Sequence, residues 1–305
     1  MTDNVLLQEL RQKKSTVNGL LAGAIGACVI SFPVFFIEGM GFHHFPVLSL
    51  LMFLTGMILL IVWNVSNKHL KEYIGEHVVQ EVLREYIDLE SYEPNGCISL
   101  DIIKDMSILP SHNKRSGSDL IRGTYKNNPL SLCDLLLQQV TSNGKTTTVI
   151  TVFKGQFLSY GLRKKLDGYV ELQKRSVGKA GGFFKRLRNF GTSVSHGRNF
   201  ESVETENTEF NQAFDIRAEN PLTAFLVLTP QFMERLLEVN QRVTTNFCFA
   251  EDTLYMAIKS NEDRFELKGN LYTPEDMEHF RNKIREDLMA TLSLLDVLLA
   301  NEHLF

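Results

Sequence analysis

Val17–Ile37 reads VNGLLAGAIGACVISFPVFFI, and Phe45–Val65 reads FPVLSLLMFLTGMILLIVWNV. Neither run contains Asp, Glu, Lys or Arg. A helix needs about 20 apolar residues to cross a bilayer, and each run has that length. Only Glu38–His44 (EGMGFHH) lies between them. The pair predicts a transmembrane helical hairpin with spans at about 17–37 and 45–65, and it leaves the rest of the chain on one side of the membrane.

Arg11, Lys13 and Lys14 precede the first run, and Lys68 and Lys71 follow the second. The connecting loop has no Lys or Arg. This bias places both termini in the cytoplasm, with the short loop outside. A signal peptide has an apolar core of about 7–15 residues and small residues at its cleavage site. The first run is longer, and it ends in Pro33, Phe35, Phe36 and Ile37, so a retained hairpin is expected. No intramembrane charge supports a transport or proton-relay role. Gly19, Gly23, Ala27 and Ser31 recur every four residues. Such a ladder of small residues suits close helix packing, either against the second span near Ser49 and Gly56 or against another copy in a homo-oligomer.

The 305 residues carry 32 Lys and Arg against 36 Asp and Glu, for a net charge of -4. That balance makes no global case for nucleic-acid binding, and none is expected. Cys28, Cys97, Cys133 and Cys248 are far apart, with no CxxC. They suggest neither a disulfide framework nor a zinc site, and they suit a reducing compartment. No phosphate-binding loop, H-E-x-x-H or G-x-S-x-G occurs, so no catalytic residue, metal ligand or cofactor site is assigned.

Beyond the hairpin, Leu70, Ile74, Val78, Val82 and Tyr86 step along a predicted amphipathic stalk helix over 66–89. Strand patterns begin at Asp119. Asp119–Lys126 and Leu130–Val140 flank a turn at Asn127-Asn128-Pro129. Thr146–Tyr160 is the longest strand candidate, with Gly155 marking a bulge or a close backbone approach. Asn207 reads as a helix cap, and Asn220-Pro221 and Thr229-Pro230 each read as a cap followed by Pro at the first helical position. Val243–Phe249 and Thr253–Lys259 form a predicted hairpin around Glu251-Asp252. Thr273-Pro274 opens a long helix striped by Met277, Phe280, Ile284, Leu288, Leu292, Leu295 and Leu299.

The expected fold class is α+β: a two-helix transmembrane hairpin, then a soluble domain with a mainly antiparallel sheet and a long C-terminal helix. The expected domains are a cytoplasmic tail (1–16), the hairpin (17–65), a stalk helix and connector (66–118) and the soluble α+β domain (119–305).

Lys174–Phe200 has seven Lys and Arg residues and no acidic one. Within it, Lys179, Phe183, Phe184, Lys185, Arg186, Arg188 and Phe190 combine basic and apolar side chains. Anionic lipid attracts basic residues by about 1 kcal/mol each, and aromatic residues insert at the interface. These seven are the lipid-docking candidates. The bland alternative is a solvated loop.

Four ordered blocks carry a family resemblance: Phe153–Phe157 (FKGQF), Glu206–Ile216 (ENTEFNQAFDI), Leu228–Leu236 (LTPQFMERL) and Leu254–Ile258 (LYMAI). With the preceding hairpin, the chain resembles the bacterial membrane-protein family catalogued as domain of unknown function 3137, from roughly Leu70 to the C-terminus. The resemblance implies a bacterial cytoplasmic (inner) membrane location, and it carries over no activity and no catalytic residues. It implies a LemA-type or other membrane protein as a candidate partner, beside the lipid bilayer itself. The expected function is therefore a membrane-anchored, cytoplasm-facing interaction or regulatory module. The competing class is a membrane-tethered enzyme whose active site no motif reveals.

Overall fold

The computed structural model describes residues 3–40, 47–99, 101, 107–175, 199–260 and 273–299. The chain divides into two compact units, Met1–Val79 with Leu267–Asn282 and Gln80–Glu266 with Lys283–Phe305.

In the first unit the apolar runs fold as helices longer than the runs themselves. Helix α1 spans Asp3–Met40 and helix α2 spans Val47–Ile74. The tail before the first run is helical because Leu6, Leu7 and Leu10 repeat on one face and are buried. A π-helical turn, Gly75–Val79, follows α2 and ends this unit, and helix α3, Gln80–Leu83, opens the second. The stalk pattern holds through this region, with Leu70, Ile74, Val78 and Val82 buried.

The stalk helix ends at Leu83, short of the expected Leu89. Asp88–Glu93 instead forms strand β1, which pairs with the next strand. Its acidic residues, Asp88, Glu90 and Glu93, match an exposed helix face as well as a strand edge. Burial of Ile87 and Tyr92 in the sheet unit decides between them.

The second unit is built on a sheet that is nine-stranded among the described residues. After β1 come β2 (Lys114–Tyr125), β3 (Asn128–Ser142), β4 (Thr147–Gly161), β5 (Tyr169–Lys174) and β6 (Glu201–Ser202). Helix α4 (Thr208–Ala213), strand β7 (Phe214–Ala218), and helices α5 (Pro221–Val227) and α6 (Pro230–Arg242) follow. Strands β8 (Thr245–Ala250) and β9 (Thr253–Lys259) precede helix α7 (Pro274–Leu299), which belongs to this unit from Lys283 onward. The strand order is β1-β2-β3-β4-β9-β8-β5-β7-β6, and each neighbouring pair is antiparallel. The structure is thus α+β with an apolar helical hairpin, a large antiparallel sheet and a C-terminal helix.

Local chemistry explains the connections. The β2–β3 turn sits at Lys126-Asn127, with φ of 48° and 67°, the two positive values a tight hairpin turn requires. It falls one residue before the expected site, and Pro129 enters β3 opposite Thr124. Asn143 makes the next turn by accepting from the Lys145 and Thr146 amides, at 3.1 and 2.8 Å. The three expected caps form: Asn207 accepts from Phe210 N, Asn220 from Leu222 N and Thr229 from Phe232 N.

The two sheet faces bury different partners. On one, Cys133, Leu135, Leu137, Phe153 and Phe157 are closed over by Ile98, Ile108 and Leu109 of the β1–β2 connector. On the other, Phe232 of α6 meets Phe249 at 5.7 Å, and Thr291 of α7 donates to buried Gln156 at 2.5 Å. Alternation along each strand separates the two sets.

β4 joins the halves of the sheet through its pairing with β9. A Cβ on Gly155 would lie 2.0 Å from the Ile258 carbonyl oxygen, so only glycine permits this approach. Gly155→Ala should destabilise the sheet unit by about 1–3 kcal/mol. Urea titration of the full chain in detergent checks this, and an unchanged midpoint would contradict it.

Candidate membrane interface

Among the described residues, α1 and α2 are long and apolar enough to cross a membrane. Their apolar side chains point outward: Phe32 is 68% exposed, Val29 64% and Ile61 63%. The seam between the two helices follows a seven-residue spacing, with Val17, Ala24 and Ser31 buried on α1 and Ser49 and Gly56 buried on α2. A Cβ on Gly56 would stand 2.5 Å from Cys28 Sγ and 3.2 Å from the Ala24 carbonyl oxygen, so glycine sets the close approach. The hydroxyl of Ser31 donates to the Cys28 carbonyl at 2.7 Å, which satisfies it inside the helix.

The four-residue ladder divides across this geometry. Ser31 lies in the seam and Ala27 is half-buried. A Cβ on Gly23 would meet Leu59 at 3.7 Å, an ordinary contact. A Cβ on Gly19 would meet nothing within 4 Å. The signal for the seam is the heptad recurrence of Val17, Ala24 and Ser31, which the ladder overlaps only at Ser31.

The seven lipid-docking candidates, Lys179, Phe183, Phe184, Lys185, Arg186, Arg188 and Phe190, lie outside the described residues. The sheet unit carries another surface of the same chemistry. Asn220 and Pro221 start α5, whose Thr223, Ala224 and Val227 are buried. Its other face presents Leu222 (72% exposed), Phe225 (52%) and Leu226 (60%) at spacings of three and four. The β4–β5 loop lies against the start of α5. Thr223 Oγ1 donates to the Asp167 carbonyl at 2.7 Å, and Asn220 Nδ2 donates to the Asp167 carboxylate at 3.2 Å.

The same loop is pinned to the β8–β9 turn by Leu162 N to Asp252 O (2.6 Å) and Leu166 N to Glu251 O (2.7 Å). Between these pins Arg163, Lys164 and Lys165 are exposed. Lys165 reaches the Glu251 carboxylate at 3.5 Å. An exposed apolar helix face therefore adjoins a basic loop that the backbone holds in place. In the sequence, LTAFLV reads as an ordinary core run, because apolarity all round a short helix does not say which face is covered.

Polar groups elsewhere serve the architecture. Glu171 on β5 is fully buried against Arg217 of β7, Oε2 to Nη2 3.1 Å, and also accepts the Ser107 amide. Burial pushes its carboxyl up, against the pull of the Ser107 N–H and Arg217. Tyr92 donates to buried Asp119 at 2.6 Å, and burial raises its phenol far above the usual range. Among the described residues no group of three His, Cys, Asp or Glu side chains could hold a metal ion.

The fold and this surface define a class: an apolar two-helix hairpin followed by an antiparallel α+β unit. The family described as Protein of unknown function (DUF3137) matches residues 151–299, just under half of the chain. All four resemblance blocks fall inside the match, which is narrower than the extent expected from Leu70. No curated protein matches the chain. A solved structure similar to it is the crystal structure of the mycobacterial trehalose monomycolate transport factor A, TtfA. The identity is 9%, the TM-score is 0.33, and the likeness covers 74% of this chain and 96% of that one.

Gly56→Ile should weaken the hairpin by about 1–3 kcal/mol, whereas Gly19→Ile should change it by under about 0.5 kcal/mol. Unfolding by dodecyl sulfate in mixed micelles separates the two. Equal losses would contradict the seam.

Proposed function

We propose that the chain is a membrane-anchored, cytoplasm-facing interaction or regulatory module whose sheet unit rests on anionic lipid. The observation that carries this is the exposed Leu222, Phe225 and Leu226 face beside Arg163, Lys164 and Lys165. A water-exposed apolar triad gains free energy at the boundary between headgroups and acyl chains, and basic neighbours are drawn to anionic headgroups. Two apolar helices in the same chain keep the unit near a bilayer, so individually weak contacts act at high effective concentration. The basic aromatic segment with Lys185, Arg186 and Arg188 supplies the same chemistry from sequence.

Orientation follows from Arg11, Lys13, Lys14, Lys68 and Lys71 on the flanks and no Lys or Arg in the loop. The open Gly19 end of the ladder fits a further helix, either from a second copy or from another membrane protein such as a LemA-type partner. A bilayer contact of this kind would set the orientation of the sheet unit for that partner.

The test uses the full chain in nanodiscs, with Trp63→Phe to silence the native indole and Phe225→Trp to report on α5. Brominated anionic lipid should quench the new indole, and brominated neutral lipid should quench it less. Arg163→Glu, Lys164→Glu and Lys165→Glu together should reverse the quenching, as should Leu222→Ser with Leu226→Ser. An indole equally unquenched in both lipids would refute the contact.

A further inference from the structure

The segment after β1 brings together two cysteines that are distant in the chain. Gly96 N donates to the Glu93 carbonyl at 2.9 Å, which reverses the backbone. Arg115 Nη1 then donates to the Ile98 carbonyl at 2.8 Å and fixes the returning strand of chain over β2. Cys97 lies on Gly117. A Cβ there would stand 2.4 Å from the Cys97 Sγ and 3.0 Å from the Cys97 Cβ, so the thiol fills the volume of the missing side chain.

Cys133 alternates with Leu135 and Leu137 along β3 into the same core, and Cys97 packs against that core from its edge. Gly117 pairs with Leu135 across β2 and β3, so the Cys97 thiol seated on Gly117 lies beside the β3 face that carries Cys133. Cys97 is half-buried and Cys133 is fully buried, and both are unbridged. An accessible sulfur thus shares a core face with an inaccessible one, and the Arg115 guanidinium is held beside the accessible member through the Ile98 carbonyl.

We propose that Cys97 and Cys133 form a redox-active dithiol that exchanges with a small disulfide of the glutathione class and closes to an intramolecular disulfide. The environments suit two different roles. The hydrogen bond from Cys133 lowers the Cys97 thiol to about 7, aided by Arg115 and the Ile98 backbone and opposed by partial burial. The same hydrogen bond, with burial and the Cys97 charge, raises the Cys133 thiol. Cys97 is therefore the attacking thiolate and Cys133 the resolving thiol.

The electrons and protons balance. The Cys97 thiolate attacks one sulfur of oxidised glutathione, the S–S bond breaks, and one glutathione leaves as its thiolate and is protonated by water. Cys133 sulfur then attacks Cys97 Sγ in the mixed disulfide. The second glutathione departs with the proton that Cys133 loses. Two protein thiols are oxidised to one disulfide, and one glutathione disulfide is reduced to two thiols. The new bond ties the β1–β2 connector, which carries Ile98, Ile108 and Leu109, to the central strand β3 it covers.

The experiment equilibrates the full chain in detergent micelles with glutathione buffers, quenches with acid and alkylating reagent, and maps peptides by mass spectrometry. A Cys97–Cys133 linked peptide should accumulate as the buffer becomes oxidising. Cys133→Ser should stop at glutathione on Cys97, and Cys97→Ser should leave Cys133 unmodified. The wild-type chain gives a second readout that needs no variant. Iodoacetamide modification of Cys97 should rise with pH through a midpoint near 7, against about 8.5 for an ordinary thiol. No linked peptide in fully oxidised glutathione, links formed instead by Cys28 or Cys248, or an ordinary midpoint at Cys97 would each overturn the proposal.

Discussion

The sheet unit depends on one antiparallel contact, the pairing of β4 with β9. Seven residue pairs, from Gly155 with Lys259 to Gly161 with Thr253, join the β1–β4 half to the β9–β8–β5–β7–β6 half. The match at 151–299 begins near the start of β4 and contains the whole second half. The contact is tight because Gly155 admits the Ile258 carbonyl where a side chain would stand. Around it, Phe157 on one face and Gln156 on the other root the two cores, and Gln156 reaches Thr291 of the C-terminal helix. Removing that strand pairing would separate the long hairpins from the helices that cover the other half.

A second constraint acts in the hairpin, where apolar side chains cannot be satisfied by the chain itself. Two helices bury only a narrow seam between them, so most of their side chains need an apolar solvent. The α5 face poses the same problem on a smaller scale, since Leu222, Phe225 and Leu226 remain exposed while their helix neighbours are buried. A bilayer answers both needs, which is why the proposed reading connects them. The thiol pair is independent of this reasoning. It concerns the sheet face that the connector closes over β3.

Much of this fold is legible in local chemistry. The caps at Asn207, Asn220 and Thr229, the Glu251-Asp252 hairpin and the striped helix from Pro274 each follow from a few neighbouring residues, because backbone capping and periodicity are local effects. What escapes is non-local. β1 carries an acidic pattern that suits a helix surface, and only its pairing with β2 makes it a strand. The seam in the hairpin is set by Gly56 opposite Ala24 and Cys28, a match of two helices that the four-residue ladder on one helix does not reveal. Cys97 and Cys133 share no sequence spacing, and the meeting of their thiols depends on the Gly96 turn and the open place at Gly117. The exposed face of α5 is hidden by its own apolarity, since a short helix that is apolar all round looks like core.

The most direct test of the account asks whether the loop between α1 and α2 and the sheet unit lie on opposite sides of a membrane. Single cysteines would be placed by His43→Cys in the loop and Asn143→Cys in the β3–β4 turn, in a chain with Cys28, Cys97, Cys133 and Cys248 replaced by Ser. A membrane-impermeant maleimide applied to intact expressing cells should label the first site, and should label the second only after lysis. Labelling of both sites in intact cells, or of the turn alone, would contradict a hairpin that anchors a cytoplasmic module.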